Sequence, residues 1–229
     1  MDPIQSEMVD FLSNGQTTPG YLAQPGEAGV YPGVVVIQEW WGLVPHIKDV
    51  AERFARQGFV ALAPDLYHGQ ASSEPDEARK LAMELDREQA VREIVEAMHY
   101  LQALDVVSPK KIGVVGFCIG GGLTIYTAAA SPDVGAAVVF YGAPRDLSLV
   151  QNIHAPLLGL YAEHDHGIPL DMVHSFDQEL AKYAIPHEIH IYPGAEHAFF
   201  NDTRPHIYNP QAAQDAWART LDWFRKHLT

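Results

Sequence analysis

The chain has one cysteine in 229 residues, few basic side chains, and no long apolar run. Each shortage excludes something. A single thiol cannot close an intrachain disulfide, so nothing here calls for an oxidising compartment. Fifteen Lys and Arg against 29 Asp and Glu leave a formal charge of −14. That balance disfavours nucleic acid and anionic membranes as partners, and no basic patch with interleaved aromatics offsets it. The apolar runs fall far short of the ~20 residues of a membrane span. The first residues, MDPIQSEMVDFLSNGQ, are acidic and lack a positive start followed by an apolar stretch. They do not read as a signal peptide, and the expected location is cytoplasmic.

What remains is an ordinary globular composition, 47% hydrophobic and 19% charged. A chain of this length can bury about 70% of its unfolded surface. Residues 6–12 and 16–23 alternate around Ser13-Asn14-Gly15-Gln16, which reads as an opening hairpin with an Asn-Gly turn. A repeating beat follows. Strands are expected at 33–38, 59–65, 111–117, 135–142, 155–162 and 187–193. Helices are expected at 46–58, 118–130, 170–184 and 210–228, and over 75–104 as one long helix or two broken near Asp86. The strands are unbroken apolar runs, which demand burial on both faces. With no internal repeat and no linker, residues 1–229 are expected to form one α/β domain, a doubly wound, mostly parallel sheet with helices on both faces.

The lone thiol occupies a cramped place. Gly116-Phe117-Cys118-Ile119-Gly120-Gly121 joins a strand to a helix, the context of a nucleophile elbow. The central side chain of such a turn projects above the sheet, and flanking glycines remove β-carbons that would collide. Cys118 would then stand at a helix N-terminus, with the Ile119 amide aimed at an oxyanion on the attacked carbonyl. Two other readings exist: a small buried hydrophobe, and a phosphate-cradling loop. No Gly-Lys-Ser/Thr follows the glycines, and Phe117 and Ile119 suit phosphate poorly.

A thiol nucleophile needs a base, and the base needs an orienting acceptor. In elbow folds these follow the nucleophile in the order acid, then histidine, on loops at the carboxyl ends of later strands. The strand 155–162 runs into AEHDHGIP, offering Asp165, with Glu163 as the alternative. The strand 187–193 runs into GAEHAFF, offering His197. The loop after 33–38, QEWWG, would supply a second oxyanion donor, the amide of Trp40.

Taken together, QEWWGL (38–43), GFVALAPDLY (58–67), GFCIGG (116–121), FYG (140–142), HDHGIP (164–169) and YPGAEHAF (192–199) resemble the dienelactone hydrolase family of α/β-hydrolases. The likeness runs from the hairpin to the last helix. It implies the α/β-hydrolase fold, a Cys118–His197–Asp165 triad, an oxyanion hole from Ile119 and Trp40, and a role for Glu39 in activating the resting thiol. The best-known members grip a substrate carboxylate with two arginines. One position holds Asn201 here and the other aligns with Pro75, with Arg79 and Arg204 nearby.

The expected chemistry is therefore hydrolysis of an ester or lactone through a thioester, with no cofactor and no metal. With both clamp positions changed, a neutral ester or a different lactone is an alternative substrate. Trp41, Tyr141 and Phe199, with Trp40, are expected to wall the pocket, Arg79 to reach the substrate, and loop 200–210 to serve as the lid. The chain is expected to work as a monomer or homodimer. Two rival readings are a metal-dependent hydrolase built on the His-x-His pair of EHDHG, and a non-catalytic binding protein that keeps the elbow as scaffold.

Overall fold

Apolar residues on successive positions of the central strands divide between two cores. Val34 and Val36 face one side of the sheet while Val35 and Ile37 face the other; Ala61 and Ala63 oppose Val60 and Leu62 in the same way. This is why the strands read as unbroken apolar runs. The computed structural model describes residues 3–228. They form eight strands: β1 (Ile4–Ser13), β2 (Gln16–Pro25), β3 (Gly33–Ile37), β4 (Val60–Pro64), β5 (Ile112–Phe117), β6 (Val134–Phe140), β7 (Leu157–Ala162) and β8 (His187–Tyr192). Six α-helices accompany them: α1 (Pro45–Arg56), α2 (Pro75–Glu84), α3 (Arg87–Ala103), α4 (Ile119–Ala130), α5 (Leu170–Lys182) and α6 (Pro210–His227).

The sheet order is β1-β2-β4-β3-β5-β6-β7-β8. The β1–β2 and β2–β4 pairs are antiparallel, and every other pair is parallel. Side chains of α1 and α6, such as Phe54 and Phe224, fill the core on one face. Ile94 and Met98 of α3, Leu123 of α4 and Phe176 of α5 fill the other. The expected single doubly wound α/β domain is what the chain builds.

Local chemistry sets the boundaries. Asn14 and Gly15 take φ of 53° and 75°, the left-handed pair that a tight hairpin turn needs. Helix α1 closes on Gly58 at φ 84°, where Gly58 N donates to Ala55 O and Phe59 N to Phe54 O. The 75–104 region is two helices, because Leu85 and Asp86 are extended and the Asp86 side chain caps α3 by accepting from Gln89 N at 3.1 Å. A short 3-10 helix, Leu147–Asn152, lies in the stretch between β6 and β7, which carried no helical period to announce it.

Helix α4 packs its first turn directly onto the carboxyl end of β3. A β-carbon at Gly120 would lie 2.6 Å from Ile37 O and still closer to Gln38 O. Both obstacles are backbone and cannot rotate away. Gly120→Ala is expected to cost about 3 kcal/mol or more, the upper range for overpacking. Urea unfolding followed by circular dichroism measures it, and an unchanged midpoint would show that the two backbones are not held this close.

Candidate active site

The carboxyl ends of β3, β5, β7 and β8 converge on Cys118. The residue sits between β5 and α4 with φ 58° and ψ −118°, a strained conformation for a side chain with a β-carbon. Such strain costs about 1–3 kcal/mol and persists only where the surroundings over-determine it. Here Cys118 N donates to Phe140 O at 3.1 Å, and Cys118 O accepts from Gly121 N at 3.0 Å. At Gly116 a β-carbon would meet Thr124 Oγ1 at 2.6 Å and collide with Gly120 O; at Gly121 it would meet Phe140 O at 2.7 Å. The glycines flanking the thiol are therefore required by close approach.

The imidazole of His197 stands between Asp165 and Cys118. Nδ1 lies 2.6 Å from Asp165 Oδ2, which leaves Nε2 as the nitrogen available to Cys118, whose side chain acts on the ring's affinity for a proton. The side chain of Asp165 is almost wholly buried, and its Oδ1 accepts from Gly167 N at 2.8 Å and Ile168 N at 2.9 Å. Two backbone bonds tie the loops that carry the pair: His164 N to Ala195 O at 2.9 Å and Glu163 N to Tyr192 O at 3.1 Å. Glu163, the alternative orienter, instead accepts from Gly194 N at 2.7 Å and braces the His197 loop from outside.

Burial alone would lower the His197 pKa. Hydrogen bonds to Asp165 and Cys118, with the charges those groups carry, overcome it and hold the imidazole at about 10. Burial alone would raise Asp165; the imidazolium and the two loop amides outweigh it and hold the carboxyl below its ordinary value.

The amides of Ile119, first residue of α4, and Trp40, just beyond β3, have no acceptor among the described residues. Both residues line one cleft with Cys118, His197 and Tyr141. Its volume is about 640 Å³.

Glu39, which follows β3, is 1% exposed. Its Oε1 accepts from Tyr141 Oη at 3.2 Å and its Oε2 from Asn201 Nδ2 at 2.7 Å. Two donors stabilise a carboxylate that burial would otherwise make costly. Tyr141 in turn sets its ring edge-on to His197, with centroids 5.1 Å apart. Asn201 is thus engaged inward, on Glu39.

Several expectations about the pocket are corrected. Trp41 does not line the cleft; it is buried, touches Trp40 edge-on at 4.9 Å and carries Arg204 over its ring at 5.1 Å. Phe199 is fully buried against Tyr141 and Tyr192, a support for the site rather than a wall of it. The 200–210 loop is no cover, because Asn201 is buried and Asn209 caps α6 by accepting from Ala212 N. Helix α2 contributes Arg79, Ala82 and Met83 to the cleft instead. Residues not anticipated from sequence also line it, chiefly Arg87, Leu123, Tyr126 and Arg145. Ile119, Gly122, Leu123 and Tyr126 stand at helical spacing on α4, a signal that could have exposed three of them. His164 and His166 do not gather a metal set: among the described residues no three His, Cys, Asp or Glu side chains converge to hold an ion. None of the helices is long and apolar enough to cross a membrane.

The raised His197 value fixes the sign of a pH effect. The folded imidazole binds its proton more tightly than an unfolded one, whose pKa is about 6.5. Its stabilising contribution is complete below that pH and drains away as pH rises toward about 10. The stability advantage over His197→Gln is expected to shrink across this window in thermal melts. In Cys118→Ala, NMR titration of the imidazole is expected to move downward, because one of the raising partners is gone. A titration unchanged by that substitution would mean the thiol and ring do not interact.

The dienelactone hydrolase family model matches residues 18–228. The Aquifex pyrophilus protein called Usf is 40% identical over 97% of this chain and 99% of its own. An Aquifex aeolicus protein provisionally named carboxymethylenebutenolidase is 36% identical over 97% of this chain and 99% of its own. A crystal structure from Klebsiella pneumoniae, provisionally described as a dienelactone hydrolase, superimposes with a TM-score of 0.91 at 32% identity, over 98% of this chain and all of that one. With this sheet order and a family match spanning nearly its whole length, the chain belongs to the dienelactone hydrolase family, whose members are hydrolases acting on ester bonds.

Proposed function

We propose that the protein hydrolyses a carboxylic ester or lactone through a thioester on Cys118. The observation that carries the proposal is the imidazole of His197, held by Asp165 at one nitrogen and sharing one open cleft with the Cys118 thiol, whose side chain raises the ring's affinity for a proton. The sulfur, its proton held by His197, attacks the carbonyl carbon, and the carbonyl oxygen becomes an oxyanion that accepts from the Ile119 and Trp40 amides. As the tetrahedral centre collapses, the carbon–oxygen bond breaks and His197 gives its proton to the leaving oxygen. A water then yields a proton to His197 and attacks the thioester; the acid departs and the sulfur is released. Asp165 keeps the ring in one tautomer throughout. Nucleophile, acid–base and oxyanion donors are all protein groups, so the reaction calls on no cofactor.

Glu39 enters as a positioning residue. Its hydrogen bond fixes the Tyr141 phenol, and Tyr141 fixes the edge against which the His197 ring rests. An exchange of hydrogen bond with the resting thiol, as the family resemblance implies, would use an acceptor site of the carboxylate beyond the two that Tyr141 and Asn201 occupy. Glu39→Gln sets an amide nitrogen against one of these two donors. It is expected to lower kcat by about ten-fold while KM changes little, since the lost hydrogen bond orients the base rather than the substrate.

Cys118→Ala is expected to abolish turnover of p-nitrophenyl acetate with an unchanged circular dichroism spectrum. An acyl adduct trapped by rapid acid quench should map by mass spectrometry to the peptide containing Cys118 and be missing in the variant. Turnover retained without the thiol would end the proposal.

A further inference from the structure

Nine arginines serve this acidic chain, and five of them, Arg53, Arg56, Arg79, Arg92 and Arg219, have a carboxylate within ion-pair distance. Arg87 and Arg145 have none among the described residues, and both line the cleft that holds Cys118. They approach it from unrelated elements, the first residue of α3 and the loop after β6.

Tyr126 joins them. The guanidinium of Arg87 lies over its ring, 4.8 Å from the centroid, with Nη1 3.4 Å from Oη. The backbone amide of Arg145 donates to the same Oη at 3.2 Å. A guanidinium held over an aromatic ring and tied to its hydroxyl through one nitrogen keeps its other N–H groups for an anion. Tyr126 stands seven residues beyond Ile119 on α4, which at 1.5 Å per residue sets this cationic end roughly 10 Å from the oxyanion donors. Leu123 of α4 lies between Ile119 and Tyr126, and Ala82, Met83 and Leu85, at and beyond the end of α2, add apolar lining to the same cleft beside Arg79.

We propose that the cleft selects esters whose acyl chain is apolar in its middle and ends in a carboxylate, gripped by Arg87 and Arg145. The inference rests on the catalytic reading above. In this proposal the leaving oxygen faces His197, whose partner Asp165 accepts from Gly167 and Ile168, and the acyl arm runs along α4 toward the arginines. An extended chain needs roughly eight carbons to bring its terminal carboxylate to about 10 Å from the carbonyl. The substrate class is thus the half-ester of a medium-chain dicarboxylic acid, longer than a compact lactone bearing a neighbouring carboxylate.

The test compares kcat/KM for the p-nitrophenyl half-esters of suberic and adipic acids with that for p-nitrophenyl octanoate. The suberate half-ester is expected to exceed octanoate about ten-fold and to exceed the shorter adipate half-ester. Arg87→Gln and Arg145→Gln are each expected to reduce the suberate-to-octanoate ratio by about ten-fold, the worth of one charge-assisted hydrogen bond. Taking ratios cancels general damage to folding or chemistry. A ratio near one, a ratio unaffected in both variants, or equal use of adipate would overturn the proposal. A second measurement is independent of catalysis. In Cys118→Ala, monomethyl suberate titrated by isothermal calorimetry is expected to bind more tightly than monomethyl adipate, and the added Arg87→Gln substitution is expected to remove the difference. Equal binding overturns the carboxylate grip, whereas failure of the thioester mechanism would appear only in the Cys118 experiments.

Discussion

A cysteine can hold a φ of 58° at the end of β5 only because main chains around it approach more closely than any β-carbon permits. Gly116 and Gly120 face each other across the turn, Gly120 lies against the last carbonyls of β3, and Gly121 lies against Phe140 at the end of β6. Three strand ends and one helix are thereby locked to a single point. The sulfur is lifted above the sheet, the first amide of α4 is left without a partner, and the amide of Trp40 is carried to the same place by β3. The strain of about 1–3 kcal/mol is small beside the burial of two cores, which is why the fold can sustain it. Relaxing the turn would move the thiol and the free amide of Ile119 together, so the proposed chemistry and the packing share one constraint.

The pairing of His197 with Asp165 depends on a second constraint, the tying of two loops. Asp165 and His197 are 32 residues apart in sequence, yet parallel pairing of β7 with β8 brings their loops side by side, and backbone bonds at Glu163 and His164 hold them. The carboxylate is buried and accepts two amides besides the imidazole, which favours its charged form over the neutral one. Behind the ring, Tyr141 is stationed by Glu39, and Glu39 by Asn201. This explains the use made of Asn201. A side chain at that position can turn outward toward substrate or inward toward the buried carboxylate, and a short neutral amide fits the inward space with a donor to spare.

The strands, the elbow and the two partners beside the thiol were legible in sequence because their signals are local: apolar runs, glycines two positions either side of Cys118, and an acid and a histidine just beyond strand ends. The break at Asp86 was legible for the same reason, since a capping aspartate interrupts an otherwise helical stretch. The pocket was not. Trp41 and Phe199 looked like walls because they neighbour site residues, but neighbours on an extended or turning chain point to opposite sides, and theirs is the core side. Arg87 and Arg145 carry no local mark at all. They are 58 residues apart and meet only because α3 and the loop after β6 both border the exposed face of α4. The 200–210 loop resembled a lid through its polar composition, and only the engagement of Asn201 and Asn209 shows it to be part of the frame.

The formal charge of −14 and the arginine-lined cleft look contradictory and are not. Net charge describes a field that exposed carboxylates produce far from the surface, and at physiological salt that field decays over about 8 Å. A ligand inside the cleft is governed by the groups within that radius. There the nearest formal charges include two guanidiniums with no carboxylate partner, in a space partly walled by apolar side chains that exclude water and strengthen each interaction. An acidic protein can therefore repel polyanions as a whole and still hold one carboxylate at one place. The same separation of scales governs His197: its high affinity for a proton comes from Asp165 and the thiol beside it, and the charge of the chain as a whole has little part in it.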